Sequence, residues 1–383
     1  MIQLSRKQKT ELVAIFGYLN NHATAVLEEI ADDVSVQFFY WRDFPKFRAD
    51  NNWTIPAGAK KLSLLRPIAF AKNCWQIFRS PAVYFHGITV PALLSILMLG
   101  IVARLGACRK VFVASEGLKN TPSKIKQRLL RFFLNHKNII HLGIGYRSSQ
   151  DYFECGLTKW SFRKFAFCEK YDPVTLTQDT RQGPFKILSV GQLIVRKNHS
   201  RLIQAVAKLD APASVSVDIA GNGPREEALI AEAKSLGIES QFNFAGFCDH
   251  DQLNAFFRNA DIFVLQSNYD GWGVVVGHAA HFGLPILISP SVRAGQDFLV
   301  QHGHNGFITE TADDLANAIS QLVNDSALRA LMGQRSLELS EIWGIANVSK
   351  RLGLLLKDPD STFETGPFSP AKINVFLKQK HHE

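Results

Sequence analysis

The second half of the chain alternates short β-rich runs with helical stretches, and this alternation limits the folds open to it more than any other feature. From Lys186 onward, the apolar runs are separated by segments of helical spacing such as PREEALIAEAKSLG and DQLNAFFRNA. The strand runs are KILSV, SVSVDIA, FNFAG, DIFVLQ and PILIS. Strands that alternate with helices of roughly 10–15 residues are typical of βαβ units and a parallel sheet. Their crossovers are expected to be right-handed.

The first half repeats the pattern less regularly. Its strand candidates are LVAIF, VSVQFFYW, AVYFH, KVFVA and IIHLG, and its predicted helices cover residues 23–30, 91–103, 123–135 and 146–155. The stretch from Cys168 to Pro184 is polar, contains two prolines and is the best linker candidate.

A chain of 383 residues is too long for one ordinary core and fits two domains of about 150–200 residues each. The predicted fold class is α/β, with two doubly wound, Rossmann-like domains at residues 1–178 and 179–357. Residues 358–383 form a turn-rich tail that we expect to be poorly ordered. The two domains are expected to face each other across a cleft at the carboxyl ends of both sheets, where such folds bind ligands.

Composition excludes several classes of protein. Hydrophobic residues make up 46% of the chain and charged residues 20%, which is typical of a globular protein and not of a disordered one. The five cysteines include no C-x-x-C pair, which argues against a cysteine zinc site and a disulfide framework and favours a cytoplasmic protein. The N-terminus reads as a first strand and not as a secretion signal. The run Ala92 to Ala103 is shorter than the ~20 residues of a membrane span, so it predicts a buried helix, with a membrane-dipping helix as the alternative.

The net charge of +9 is distributed unevenly. Through Thr175 there are 25 Lys and Arg against 12 Asp and Glu, and the remainder has 18 against 22. This asymmetry indicates that the first half meets an anionic partner, for which an anionic membrane surface needs no motif. Plain solvation of helix faces is the alternative. No nucleic-acid-binding motif is present, so nucleic acid is not expected as a partner.

Three loops of the second half carry the chemistry. In SVGQLIVRKNHSRLI, Gly191 ends a strand and Lys197 precedes a helix, where an ammonium and a helix N-terminus can both meet a phosphate. In AGNGPREE, Gly221 and Gly223 permit close approach of a ligand, although a tight turn explains them equally well. A solvated surface side chain is the alternative for Lys197.

The third loop, SNYDGWGVVVGHAAHFGLPI, places Asp270 after a strand and before a helix predicted from Val274 to Phe282. The first amides of that helix would point at an anion, while the carboxylate of Asp270 would accept hydrogen bonds from a polyol. This combination suits a sugar joined to a diphosphate. The alternative for Asp270 is a helix N-cap.

The order of these motifs resembles a known family. G-Q-L-x-x-x-K-N, I-A-G-N-G-P, F-x-G-F, D-G-W-G-x-x-x-x-H-A-x-x-x-G-L-P-I and H-N-G-F, which extend from about Lys186 to Trp343, are similar to the second domain of family 4 glycosyltransferases. VYFHG, VFVASEG and IGYRSSQDYFECGL match more weakly and are similar to bacterial members that build surface polysaccharides. The resemblance implies the GT-B fold and retaining transfer from a nucleotide sugar.

The resemblance also assigns roles to residues. Lys197 matches the phosphate-binding lysine of the family. At Gln192 the family usually has a basic residue, and Arg196 is a candidate to supply the missing charge. Asp270 matches the first of two paired acids and would contact the donor sugar. His278 stands at the second, which accepts the ribose hydroxyls, and its imidazole has fewer acceptor atoms than a carboxylate. The predicted donor-binding residues are Gly191, Gln192, Arg196, Lys197, Gly221, Gly223, Phe247, Asp270, Gly271, Trp272, Gly273, Val274 and His278.

In the first domain, His86 and Glu116 follow predicted strands and would face the cleft, where either could orient an acceptor hydroxyl. With Lys197 and Asp270 they are the predicted catalytic residues. The alternatives are a hydrogen-bonded strand-end histidine for His86 and a residue leading into a helix for Glu116. His22 is a third candidate for the cleft.

The predicted function is retaining transfer of a sugar from a UDP- or GDP-linked donor to a saccharide or lipid-linked saccharide acceptor. No metal or other cofactor is expected, because a fixed cation takes the place of the metal ion and no D-x-D run lies in a suitable loop. The predicted location is the cytoplasm, with peripheral attachment at the inner face of the plasma membrane. The alternatives are a non-catalytic protein that binds nucleotide sugar or glycan, a nucleic-acid-binding protein, and a sugar-nucleotide epimerase of the same fold.

Overall fold

The computed structural model describes residues 10–16, 21–30, 34–43, 55–87, 92–107, 110–118, 122–171, 183–211 and 214–373. The chain divides into two compact units. One unit comprises Met1–Lys170 together with Gly344–Glu383, and the other comprises Tyr171–Trp343. Most of the predicted linker, residues 172–182, lies outside the described residues.

The first unit is built on a parallel sheet of seven strands in the order β3-β2-β1-β4-β5-β6-β7. The strands are β1 Thr10–Phe16, β2 Val34–Tyr40, β3 Lys60–Lys61, β4 Ala82–His86, β5 Val111–Ser115, β6 Ile139–Ile144 and β7 Ser161–Phe165. The helices between them are α1 Asn21–Glu29, α2 Pro67–Arg79, α3 Ala92–Leu105, α4 Lys124–Leu134 and α5 Ser148–Glu154. The central strands β5 and β6 are buried along their whole length, as expected for a parallel sheet covered on both faces.

Helices α2 to α5 cover one face of this sheet. Each of them connects strands that advance in the same direction across the sheet, so right-handed crossovers place all four on the same side. Their inward side chains join one apolar core with the sheet, to which Ile77, Leu99, Leu130 and Tyr152 contribute one from each helix.

The second unit contains a parallel sheet of six strands in the order β10-β9-β8-β11-β12-β13. The strands are β8 Phe185–Val190, β9 Val215–Ala220, β10 Phe242–Gly246, β11 Ile262–Leu265, β12 Ile286–Ile288 and β13 Gly306–Ile308. The helices are α6 His199–Val206, α7 Glu226–Ser235, α8 His250–Asn259, α9 Val274–His281, α10 Ala312–Asn324 and α11 Ser326–Ile342. The strand order reverses between β8 and β11, and this topological switch point is where open α/β sheets bind ligands.

The last helix, α12 Ile345–Lys357, belongs to the first unit, although the sequence-based division assigned it to the C-terminal domain. It packs beside α1, and Ser349 Oγ donates a hydrogen bond to Val26 O at 3.3 Å. An amphipathic helix fits the core of either unit, so its pattern alone does not reveal which one it joins.

The expectation of a poorly ordered tail is wrong for residues 358–373. Phe368 is fully buried beside the ring of Phe165, and Lys164 N donates a hydrogen bond to Ser369 O at 2.9 Å. Proline, glycine and serine in this stretch signal turns, but they do not show that an aromatic anchor packs the turns in place. Within the described ranges, no helix has the length and apolar character needed to cross a membrane.

Candidate functional site

A group of charged side chains in the second unit lies at the switch point. Lys197 follows β8 and Asp270 follows β11, and Lys197 Nζ lies 2.6 Å from Asp270 Oδ2. Both side chains are largely buried, with 12% and 13% of their surface exposed. Because the carboxyl ends of parallel neighbouring strands meet at one edge, two loops far apart in sequence supply one ion pair.

Two glycines allow the loops around Lys197 to pack backbone against backbone. A Cβ atom on Gly221 would lie 2.1 Å from Gly191 O, and one on Gly223 would lie 2.6 Å from Leu193 O. Real Cβ atoms do not approach carbonyl oxygens this closely, so both positions require glycine. Leu193 N also donates to Asn222 O at 2.9 Å, which fixes the two loops to each other. The contact explains these glycines without a ligand.

Asp270 collects further donors. Ser267 Oγ donates to Asp270 Oδ2 at 3.1 Å, and Arg196 Nη1 lies 3.5 Å from the same oxygen. Arg196 also donates to Tyr269 O at 2.8 Å, so its guanidinium is held at this carboxylate. Arg196 was the candidate to supply the positive charge that is missing at Gln192. In this structure its charge faces Asp270.

Helix α9 begins beside this ion pair. Its N-cap is Gly273, with φ of 88°, and no side chain caps the helix, so Asp270 is not the N-cap. The first amides of a helix have no intrahelical acceptor, which leaves those at Val274 and Val275 available to an anion. The Trp272 ring is buried against Phe298. This residue can therefore contact a bound nucleotide sugar through its backbone but not through its ring.

His278 lies one turn further along α9 and faces α8. Its Nε2 is 2.8 Å from Asn254 Oδ1, and its ring packs on Phe257 and Tyr171 at centroid distances of 4.3 and 5.0 Å. The imidazole is buried in this aromatic cluster. Its assignment to the ribose stays a prediction, and the hydrogen bond to Asn254 is a role that the sequence analysis did not anticipate.

Phe247 directly follows β10 and is an exposed aromatic residue at the carboxyl end of that strand. Its side chain is 65% exposed, and Gly246 before it adopts a left-handed φ of 68°. Gly221 N donates to Gly246 O at 2.7 Å, which ties the loop after β10 to the glycine loop after β9. An exposed ring at this position could stack on a planar base.

The first unit places His86 and Glu116 at the carboxyl ends of neighbouring strands β4 and β5. The His86 ring stacks on Phe16 at 5.1 Å, and its Nδ1 lies 3.3 Å from Tyr84 Oη. Burial lowers the pKa of His86 to about 4, so the imidazole is neutral at physiological pH. Glu116 does not lead into a helix, because α4 begins at Lys124 with Ser123 as its cap. The side chain of His22 lies outside the described residues.

Sequence reasoning missed two buried bases near the ion pair. The Arg293 guanidinium lies 5.5 Å from the centre of the Tyr269 ring, and its backbone N donates to Asp270 O at 3.3 Å. His199 begins α6, and its Nδ1 lies 3.3 Å from Ser189 Oγ. Burial lowers the pKa of His199 to about 4. Arg293 sits in the loop after β12, which the motifs do not cover, whereas the position of His199 directly after Lys197-Asn198 was a usable signal.

Comparisons with known proteins show which class of protein this chain resembles. The sequence model of the family described as "Glycosyl transferases group 1" matches residues 177–338. This part of the chain therefore matches that family, and the predicted resemblance to family 4 glycosyltransferases is confirmed.

Particular relatives agree with this assignment. A lipopolysaccharide core biosynthesis glycosyltransferase of Rhizobium meliloti is 30% identical over 162 residues, which cover 42% of this chain and 46% of the relative. An uncharacterized glycosyltransferase of Haemophilus influenzae is 32% identical over 170 residues, with the same coverage of both chains. The chain spans about half the length of these curated relatives.

Solved structures resemble the chain over most of its length. Anabaena HepE in complex with UDP gives a TM-score of 0.68 at 18% identity and covers 91% of this chain and 100% of its own. The lipopolysaccharide outer core galactosyltransferase WaaB gives 0.65 at 14% identity, with coverage of 91% and 100%. At such identities the likeness concerns the fold alone, and it confirms the predicted GT-B fold class.

Proposed function

We propose that the chain transfers a glycosyl group from a nucleotide diphosphate sugar to an acceptor hydroxyl, with retention of anomeric configuration. The observation that carries this proposal is the 2.6 Å ion pair of Lys197 and Asp270 beside the open N-terminus of α9. A fixed cation, helix amides and a carboxylate at one switch point are the groups that a sugar diphosphate requires. The family match over the same residues supports the proposal.

In the proposed complex, Lys197 and the amides of Val274 and Val275 hold the diphosphate. Asp270 accepts a hydroxyl of the donor sugar, and the Phe247 ring stacks on the base. The diphosphate would share Lys197 with Asp270, because an ammonium carries three N–H donors. HepE has been crystallised with UDP and with UDP-glucose, which favours uridine as the base, with guanosine as the second choice.

The chain's own residues stabilise the leaving group in this mechanism. The bond between the anomeric carbon and the diphosphate oxygen breaks, and its electron pair remains on that oxygen. Lys197 and the dipole of α9 stabilise the charge as it develops. The acceptor oxygen bonds to the anomeric carbon on the same face, and its proton passes to the departing phosphate. No protein nucleophile is required, in agreement with the expectation for retaining members of this family.

The acceptor side of the proposal rests on His86 and Glu116. A neutral imidazole and a carboxylate at the ends of neighbouring strands can orient a hydroxyl by accepting its hydrogen bond. Relatives of this chain include a lipopolysaccharide core enzyme. We therefore propose a saccharide or lipid-linked saccharide as the acceptor, used by a cytoplasmic enzyme attached at the inner face of the plasma membrane.

A non-catalytic protein that binds nucleotide sugar is the second candidate. The observation that favours it is the hydrogen bond between His278 and Asn254, which occupies one nitrogen of the ring at a position where the family carries an acid. Gln192, in place of a basic residue, points the same way.

Release of UDP or GDP from a panel of nucleotide sugars, with and without saccharide acceptors, separates the two candidates. We expect Lys197→Ala to slow release by about a hundredfold to a thousandfold and to weaken UDP binding, because loss of one such hydrogen-bond donor typically costs ~3–4 kcal/mol. Lys208→Ala is the matched control, since Lys208 also pairs with an aspartate at 2.6 Å, but on the exposed surface. Equal turnover in the two variants would contradict the proposed role of Lys197.

A further inference from the structure

The outer face of helices α2, α3 and α4 exposes apolar side chains that the donor site does not use. On α2 and the turn before it, Leu65 and Ile68 are 93% and 86% exposed, and Trp75 is also exposed. On α4, Ile125 and Phe132 are 72% and 74% exposed. Large side chains so open to water are unusual in such number on one layer of a folded protein.

These side chains form regular stripes. Ile68, Lys72, Trp75 and Arg79 recur at the spacing of one helix face, and all four are exposed. On α4 the stripe is Ile125, Leu129 and Phe132, with Arg128 between them. The opposite faces of both helices are anchored in the core by Ile77 and Leu130. The stripes therefore point away from the core of the first unit, and none of the residues that the structure describes there buries them.

Helix α3 joins the two striped helices into one layer. Its exposed C-terminal turn carries Ile101, Arg104 and Leu105. Arg104 Nη2 donates to Phe132 O at 2.9 Å, which fixes the end of α3 to the end of α4. Right-handed crossovers place α2, α3 and α4 side by side on one face of the sheet, so their outward side chains share one surface.

The charge on this layer has a single sign. The three helices contain seven basic residues and no Asp or Glu. The bases are Lys72, Arg79, Arg104, Lys124, Lys126, Arg128 and Arg131. The Arg79 guanidinium lies 5.7 Å from the centre of the Trp75 ring, a basic and aromatic pair at the surface.

We propose that this α2–α4 layer docks on an anionic lipid bilayer, with its apolar stripes inserted among the acyl chains and its bases at the headgroups. Helices with apolar and basic side chains interleaved on one exposed face bind at such interfaces. The proposal depends on the proposed function only for the choice of a bilayer as partner, since the layer belongs to the first unit and the ion pair of Lys197 to the second.

The observations favour a bilayer over two other partners. A second copy of the chain would bring seven bases against seven bases across a two-fold axis, with no acid on these helices to pair them. The phosphates of a nucleic acid would pair with the basic side chains, but Leu65, Ile68 and Phe132 would be left without an apolar environment.

Co-sedimentation with vesicles of phosphatidylglycerol and phosphatidylcholine, without nucleotide, tests the proposal. We expect binding to these vesicles and little to pure phosphatidylcholine. The variant Ile125→Ser/Leu129→Ser/Phe132→Ser should lose about tenfold or more in partitioning. Its matched control is Ile230→Ser/Leu331→Ser/Leu354→Ser, which replaces exposed apolar side chains on other helices and should bind as the wild type does.

A second pair of variants tests the charge. Lys72→Gln/Arg79→Gln/Arg128→Gln should lose on the order of a hundredfold in partitioning to anionic vesicles. Lys234→Gln/Lys350→Gln/Lys357→Gln removes equal charge from exposed positions elsewhere and should lose much less. Thermal shifts with UDP identify variants that fail to fold. Lys197→Ala should bind vesicles normally, so failure of the donor site and failure of the docking layer are distinguishable.

Three results would overturn the proposal. One is equal partitioning of the wild type and the apolar triple-serine variant. Another is displacement of the protein from vesicles by duplex DNA together with wild-type DNA binding by that variant, which would identify nucleic acid as the partner. The last is a concentration-dependent dimer in the wild type that the same variant abolishes, which would identify a second copy.

Discussion

The Lys197 ammonium and the Asp270 carboxylate, 73 residues apart in sequence, meet at 2.6 Å where the strand order of the second sheet reverses. Ser267 Oγ and Arg196 Nη1 approach the same carboxylate oxygen. The carboxylate thus holds the lysine at the edge of the sheet, and in the proposed complex it also reads a sugar hydroxyl. Because Asp270 has these two roles, substitutions can separate its effect on the sugar from the effect of Lys197 on the diphosphate.

Asp270→Asn keeps the shape of the side chain and removes its charge. We expect UDP binding to be unchanged or stronger, because Lys197 loses a competing anion. Glycosyl transfer should fall by about tenfold to a hundredfold, the loss expected for one hydrogen bond to a charged group. Calorimetry with UDP and kcat/KM with the active donor measure the two effects. Asp313→Asn, in the surface pair with Lys208, is the control. Parallel loss of UDP binding and transfer would show that Asp270 acts only through Lys197.

His278→Glu restores the acid that the family carries at this place. The Asn254 amide can rotate to donate to the new carboxylate, which lies among the rings of Phe257 and Tyr171. We expect tighter UDP binding by calorimetry and a lower melting temperature, because a charge replaces an imidazole in a buried aromatic cluster. His278→Gln, which can keep a hydrogen bond to Asn254 without a charge, is the control. Weaker UDP binding in His278→Glu would assign the imidazole a specific role of its own.

Much of the second unit could be predicted from the sequence, because local signals and the fold agree there. Glycines bracket the loops after β8 and β9, the strands are continuous apolar runs, and the spacing from Lys197 to Asp270 follows the order of the βα units. Helix α2 was not predicted, because its exposed face carries Ile68 and Trp75, which blurs the apolar periodicity.

Other features depend on contacts between distant segments that no local pattern encodes. The packing of α12 beside α1 and the anchoring of Phe368 beside Phe165 are examples from the first unit. At the site, Arg293 reaches Tyr269 from a loop without a motif, and Asn254 reaches His278 from another helix. Such partners become visible only when the sheet brings their loops together.

The buried histidines predict acid-sensitive stability. Burial lowers the pKa of His141 to about 3 and that of His199 to about 4, both below the ordinary value of 6.5. The unfolded chain therefore binds more protons than the folded chain between pH 6.5 and about 4. We expect the free energy of unfolding to be constant above pH 6.5 as far as these groups are concerned. It should fall by roughly 2 kcal/mol per histidine at pH 5.

Urea denaturation between pH 5 and 8 measures this loss, and NMR titration of the imidazole signals assigns it. His141 and His199 should remain neutral at pH 5 in the folded protein. His302→Gln, at the exposed surface, tests whether removal of any imidazole changes the profile. A free energy of unfolding that stays flat down to pH 5 would contradict the burial of neutral rings.

The effect of Gly277→Ala on the free energy of unfolding depends on one contact, which the added Cβ atom makes with Tyr171. Alanine within a helix is normally more stable than glycine by about 0.5–1 kcal/mol. At Gly277, however, a Cβ atom would lie 2.9 Å from Tyr171 Oη, so the hydroxyl must move. We expect Gly277→Ala to give less than the usual gain, or a loss, in the wild type. In Tyr171→Phe, where the hydroxyl is absent, the same change should give the full gain.

A double-mutant cycle on the free energy of unfolding measures this coupling, which should be about 0.5–1 kcal/mol. Gly353→Ala in α12 is the control, because no atom lies within 4 Å of its Cβ position and its gain should be the same in both backgrounds. If Gly277→Ala gains equally in the wild type and in Tyr171→Phe, the Tyr171 hydroxyl does not rest on α9. The aromatic stack with His278 and His281, at centroid distances of 5.0 and 4.8 Å, would still hold Tyr171 against this helix.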